Sequence, residues 1–134
     1  MLEQGPAIPS ANTHIQDALA RFIADGSLDR HVRRMVADNR ERHDRLLECL
    51  ERSLDGVVEL SGVRSGMHFF ATVRNGMTQE ELIDSARAND ANVYGTRRFW
   101  FSGDAAESSL MIGFSAIALE DIEPGVRALA EAWL

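Results

Sequence analysis

"GMHFFATVRNGMTQEELIDSARAND", residues 66–90, changes its period halfway along. From Gly66 to Val73 the pattern is that of a strand, with aromatic and β-branched residues. "RNGM" then supplies turn chemistry. From Thr78 the period becomes helical: Thr78 and Glu81 have the spacing of a capping box, and Leu82, Ile83 and Ala86 share the inward face. A strand feeding a capped amphipathic helix across a tight turn predicts an α+β arrangement.

The neighbouring segments extend that reading. "VVEL" (57–60) reads as a short strand, joined to the first by the Gly-Ser turn "SGVRSG". "ANVYG" (91–95) reads as a short strand, "SLMIGFSAI" (109–117) as a longer buried one, and "LEDIEPGVRALAEAWL" (119–134) as the closing helix. Pro124 is placed past the first turn of that helix, where it would remove a hydrogen bond and bend it. Upstream, "THIQDALARFIADGS" (13–27) has helical spacing at Ile15, Leu19, Phe22 and Ile23, with Thr13 as N-cap and Gly26 as a stop. A second helix runs from about Leu28 to Leu54, with Val32, Met35, Val36, Leu46, Leu47, Leu50 and Leu54 as one apolar stripe. At ~1.5 Å per residue it is longer than a domain of this size easily covers. The expected fold is α+β: two N-terminal helices, the second long, then β-β-α-β-β-α, with helices packed on a small, mostly antiparallel sheet. Residues 1–25 form an N-terminal arm and first helix, and residues 26–134 a single domain.

Composition narrows the function. The 134 residues carry a net charge of −7, which opposes direct nucleic-acid binding by this chain. Cys49 is the single cysteine and lies inside an apolar helical pattern, so it reads as core, and the chain suits a reducing cytoplasm. No stretch approaches the ~20 apolar residues of a membrane span. His14, His31, His43 and His68 have no metal-ligand spacing, so no metal site is expected. Asn39 and His43 interrupt the stripe of the long helix and read as the point where it meets a polar surface. All 14 basic residues are arginine. Without a lysine amine the chain cannot form the internal aldimine that holds pyridoxal phosphate.

"YGTRRFWF" (94–101) concentrates chemistry, with two arginines among four aromatics. Such guanidiniums suit bidentate binding of a carboxylate or phosphate. They equally suit an exposed strand end, where they stack on Phe99 or Trp100 or pair with acids.

"LARFIADGSLDRHVRRM" (19–35), "RHDRLLECL" (42–50), "SGMHFF" (65–70), "NVYGTRRFW" (92–100) and "LMIGFSAIALEDIEPGVRALAEAWL" (110–134), in that order, resemble the C-terminal part of fold-type-I aminotransferases. The similarity is greatest to the MocR-type branch of GntR-family transcriptional regulators. The resemblance implies a cytoplasmic small domain, non-catalytic by itself, that contributes one side of an amino-acid or amine effector cleft. It implies Arg98 as the carboxylate ligand, with Arg97 a weaker candidate, and Tyr94, Phe99, Trp100, Gly66 and His68 as cleft-lining residues. Pyridoxal phosphate is the cofactor of the parent family and is not expected on this chain alone. Met111 stands where the plain enzymes carry a second carboxylate arginine, which favours the regulators. Gly95 replaces a usual proline, Asn39 a usual aromatic and Ala118 a usual Ser or Thr cap. The expected partners are a second copy, in a homodimer, and a separate large-domain chain. The other readings are a stand-alone protein–protein interaction module and a subunit of a split pyridoxal-phosphate aminotransferase.

Overall fold

The computed structural model describes residues 13–63, 66–99 and 108–134. The chain divides into two compact units, Met1–Ala37 and Asp38–Leu134. In the first, helix α1 spans Thr13–Ala24 and ends at Gly26, whose φ of +74° suits glycine. Helix α2, Ser27–Leu54, begins in this unit and ends in the second. None of the residues of α1 is buried. Val32, Met35 and Val36 are exposed as well, so the apolar stripe of α2 enters a core only from Leu46 onward.

The second unit is a layer of helices on a four-stranded sheet. Strands β1 (Val58–Ser61), β2 (His68–Val73), β3 (Tyr94–Gly95) and β4 (Ser109–Gly113) stand in the order β1-β2-β4-β3. Every pairing in the sheet is antiparallel. Alternation sends Phe69, Ala71 and Val73 of β2 and Leu110 and Ile112 of β4 to one face, where all are buried. Helices cover that face. Leu46, Cys49, Leu50 and Leu54 come from α2, Leu82 and Ala86 from α3 (Gln79–Ala88), and Ile122, Val126, Leu129 and Trp133 from α4 (Ile122–Trp133). Their spacings of three and four put each set on one helical face. Glu123 of α4 takes Arg45 at 2.6 Å and Arg52 at 3.1 Å, which joins α4 to α2. The indole Nε1 of Trp133 donates to the Leu82 carbonyl at 3.2 Å, which joins α4 to α3.

Three expectations are corrected. Pro124 lies in the first turn of α4, where its missing N–H has no helical partner in any case, so it removes no hydrogen bond there. The closing helix opens with a separate 3-10 turn over Leu119–Asp121, and Ala118 at its N-cap makes no side-chain cap. Strand β4 stops at Gly113 rather than continuing to Ile117.

The capping box of α3 forms as its spacing predicts. The Thr78 N–H and hydroxyl donate to Glu81 Oε2 at 2.8 and 2.9 Å, and the Glu81 N–H returns to Thr78 Oγ1 at 3.4 Å. These bonds, the backbone one first, hold the Glu81 carboxyl below its usual value. A carboxyl lowered in the folded state contributes stability above its unfolded value, and that contribution is lost as pH falls through the folded value. Thr78→Ala is therefore expected to cost about 1 kcal/mol in urea unfolding at neutral pH. The cost should shrink as the pH is lowered into the range where Glu81 protonates; an unchanged cost in acid would separate Glu81 from the cap.

Candidate functional site

The helices leave the other face of the sheet open. Register sets Phe70 opposite Met111, and Met111 opposite Tyr94, so three strands contribute one row on that face. Phe70 is 37% exposed and Tyr94 52%. His68, two residues before Phe70, shares its face and meets its ring edge-on at 5.3 Å.

Beside this row the chain turns sharply. Arg97–Phe99 form a 3-10 turn directly after β3, not a continued strand end. Arg97 and Arg98 line a shallow concavity of about 500 Å³ together with Tyr94, Arg87, Gln79 and Ile83. The three arginines there differ in what holds them. Arg87 pairs with Asp84, and Arg97 with Glu80, each at 3.4 Å. Arg98 has no carboxylate partner among the described residues; its guanidinium lies 5.0 Å over the Phe99 ring.

The turn is held from beneath by Gln79, which is only 7% exposed. Its Nε2 donates to the Ser109 carbonyl at 2.5 Å and to Thr96 Oγ1 at 3.5 Å, while its Oε1 accepts the Arg97 N–H at 3.5 Å. Thr96 Oγ1 also donates to the Ser109 carbonyl, at 3.1 Å. A Cβ on Gly95 would collide with the Gln79 amide, so the close approach of β3 to α3 requires glycine there.

The structure thus brings Tyr94, Arg97, Arg98 and Phe99 together. His68 shares the open face with Tyr94 but lies on β2, with β4 between them. Gly66, with φ +94°, precedes β2 and is not among the residues that line the concavity. Trp100 lies outside the described residues. Sequence reasoning missed Gln79 as a positioning residue and Phe70 as part of the row. The glycine at 95 was the signal for the first; the second needs the strand register.

The stripe-breaking pair on α2 also needs correction, because neither residue marks a polar surface. His43 packs edge-on against Phe69 and Phe114, at 5.0 and 5.7 Å between ring centroids. Its Nε2 lies 2.6 Å from the Val63 carbonyl and its Nδ1 2.8 Å from Asp44 Oδ1. Asn39 Oδ1 is buried and has no hydrogen-bond partner among the described residues. Among the described residues no group of three or more His, Cys, Asp or Glu side chains is placed to hold a metal ion. No described helix is long and apolar enough to cross a membrane.

No protein-family model matches the chain. The uncharacterised HTH-type transcriptional regulator YhdI of Bacillus subtilis is 31% identical over 124 residues, which are 92% of this chain and 26% of the relative. The probable rhizopine catabolism regulatory protein MocR of Rhizobium meliloti is 25% identical over 120 residues, 90% of this chain and 24% of that protein. Among solved structures, the multiple substrate aminotransferase of Thermococcus profundus matches with a TM-score of 0.75 at 26% identity, over 84% of this chain and 28% of the other. The chain spans about a quarter of the length of these proteins. It resembles the small C-terminal domain of fold-type-I aminotransferase-like proteins, and the MocR-type regulators in particular.

An unpartnered buried carbonyl oxygen is a cost that an apolar side chain does not carry. Asn39→Leu is accordingly expected to raise unfolding free energy by about 1 kcal/mol in urea titration. A loss of stability would mean that Asn39 has a partner in solution.

Proposed function

We propose that this chain serves as the aminotransferase-like small domain of a MocR-type transcriptional regulator, and that it supplies one side of a cleft for an amino-acid or amine effector. The observation that carries this reading is Arg98, a cation without an acid partner among the described residues, set over Phe99 in a concavity lined by Tyr94. A guanidinium in that position can take a carboxylate through two parallel hydrogen bonds. Arg97 is the weaker candidate because Glu80 already competes for it.

The chain is non-catalytic alone in this reading. Pyridoxal phosphate, which an aminotransferase-like fold implies, needs a lysine to hold it covalently, and there is none among the 134 residues. The residues present do not fit that group, and the cleft must be completed by a large domain. DNA contact is likewise assigned elsewhere, since a net charge of −7 repels phosphates.

Supplied with the large domain of a compatible regulator, this chain is expected to support binding of amino acids in preference to the amines that lack their carboxylate. Calorimetry should show Arg98→Ala weakening amino-acid binding by about 1.5–3 kcal/mol, the range for a hydrogen bond to a charged group. Arg97→Ala should cost less. Equal losses from the two variants would indicate a diffuse positive patch, and no loss from either would remove the carboxylate role.

A second reading is favoured by the first unit. Ile15, Leu19, Ile23, Val32 and Val36 are each about half exposed or more. Exposed apolar residues recurring every four positions along a helix call for a partner, and a second copy can cover the same residues by two-fold pairing. Light scattering after size exclusion is expected to report a homodimer at micromolar concentration, and removal of residues 1–25 should shift it toward monomer. A monomer in which α1 is well protected from hydrogen exchange would contradict the pairing.

A further inference from the structure

Between the α3–β3 loop, the end of β4 and the start of α4 lies a second cavity, of about 490 Å³. It is distinct from the arginine concavity, and a ligand held in it would owe nothing to Arg98. Its volume is within the ~300–1,000 Å³ of small-molecule pockets. Ile112, Ile122, Val126 and Leu129 give it an apolar floor. Asp90 and Asp121, both exposed, stand among its polar lining, and no arginine or histidine among the described residues lines it.

Two positions on this cavity hold residues that their own backbone disfavours. Asp90 follows the C-cap of α3 with φ +61°, a left-handed conformation that glycine takes freely and an aspartate takes at a cost. Gly125 lies within α4, where alanine is the better helix former. A Cβ at Gly125 would meet nothing within 4 Å, so packing does not explain the glycine. Neither aspartate has an ion-pair partner among the described residues.

Charge decides what could enter. Two carboxylates outweigh the roughly half a positive charge that the α4 N-terminus presents. Arg42 is the basic side chain tied to the cavity wall: its Nε donates to the Ile117 carbonyl at 2.8 Å, but it does not line the space. We infer that this cavity binds a small organic cation with an apolar body, of the primary-amine class. The ammonium is taken by Asp90 and Asp121 and the body by the isoleucine, valine and leucine floor, while Gly125 keeps the entrance open.

The test is a methyl chemical-shift titration of the full chain with three probes of matched size: 2-phenylethylammonium, 2-phenylethanol and phenylacetate. The amine is expected to saturate, with shifts at Ile112, Ile122 and Val126, and to bind at least about ten-fold tighter than phenylacetate. Asp90→Asn combined with Asp121→Asn should weaken the amine by at least about ten-fold and leave the alcohol unchanged. Asp90→Gly should raise the thermal midpoint while weakening the amine, an opposition that a merely structural aspartate would not produce. Gly125→Leu should block all three probes; should that variant fail to fold, the aspartate pair still decides. Absence of saturable shifts at millimolar probe, equal binding of the three probes, or undiminished amine binding by the double-Asn variant would each overturn the inference. So would tighter binding of phenylalanine than of the amine, which would make Arg42 a ligand.

Discussion

The buried amide of Gln79 is the constraint on which the β3 edge of this domain depends. Its side chain reaches from the first residue of α3 to the Ser109 carbonyl on β4 and to the Arg97 N–H beyond β3. A polar side chain so deeply buried is tolerable only when its donors and acceptor are met, and here both are. The amide therefore fixes three elements at once, and it leaves no space for a side chain at residue 95. At residue 95 a glycine leaves that amide undisturbed. The position of the Arg97–Phe99 turn follows from that choice.

Consequences run outward from this edge. Strand β3 is only two residues long and, among the described residues, has β4 as its one neighbour, so its own ladder holds it weakly. Gln79 and Thr96 supply what the ladder lacks. With the edge fixed, Tyr94 extends the Met111–Phe70 row across the open face while also bordering both cavities. On one side of it the lining is rich in arginine, and on the other it carries two aspartates. A short strand anchored by Gln79 and Thr96 thus separates a lining rich in arginine from one that carries two aspartates.

Local periodicity makes much of the fold legible. The change of period at Thr78, the capping box and the spacing of Leu46, Leu50 and Leu54 each depend on neighbours a few residues away, and the structure agrees with the sequence at each. The disagreements involve distant partners or a shifted boundary. His43 and Asn39 look like polar breaks in a helix, but Phe69, Phe114 and the Val63 carbonyl, all far along the chain, enclose the histidine. Pro124 falls in a first turn because a 3-10 turn precedes α4 and moves the helix start to Ile122. At the site, the aromatic-arginine cluster is visible as a run, whereas Phe70 and Met111 join Tyr94 only through strand register. The two-arginine ambiguity is reduced only by coordinates, because Glu80, the partner of Arg97, lies 17 residues away.

Magnitudes set what Arg98 can do by itself. One hydrogen-bonded guanidinium contributes about 1.5–3 kcal/mol, and even millimolar affinity requires about 4 kcal/mol. Arg98 lies in a shallow, solvent-open concavity, where water and salt screen it further. Alone, then, it cannot hold a small amino acid at useful concentrations; a covering surface that excludes water would strengthen the same contact. The second cavity differs in kind, because its floor removes apolar ligand surface from water at roughly 25 cal/mol per Å² before any charge is counted. If a ligand binds this chain in isolation, the energetics place it among Ile112, Ile122, Val126 and Leu129 before Arg98.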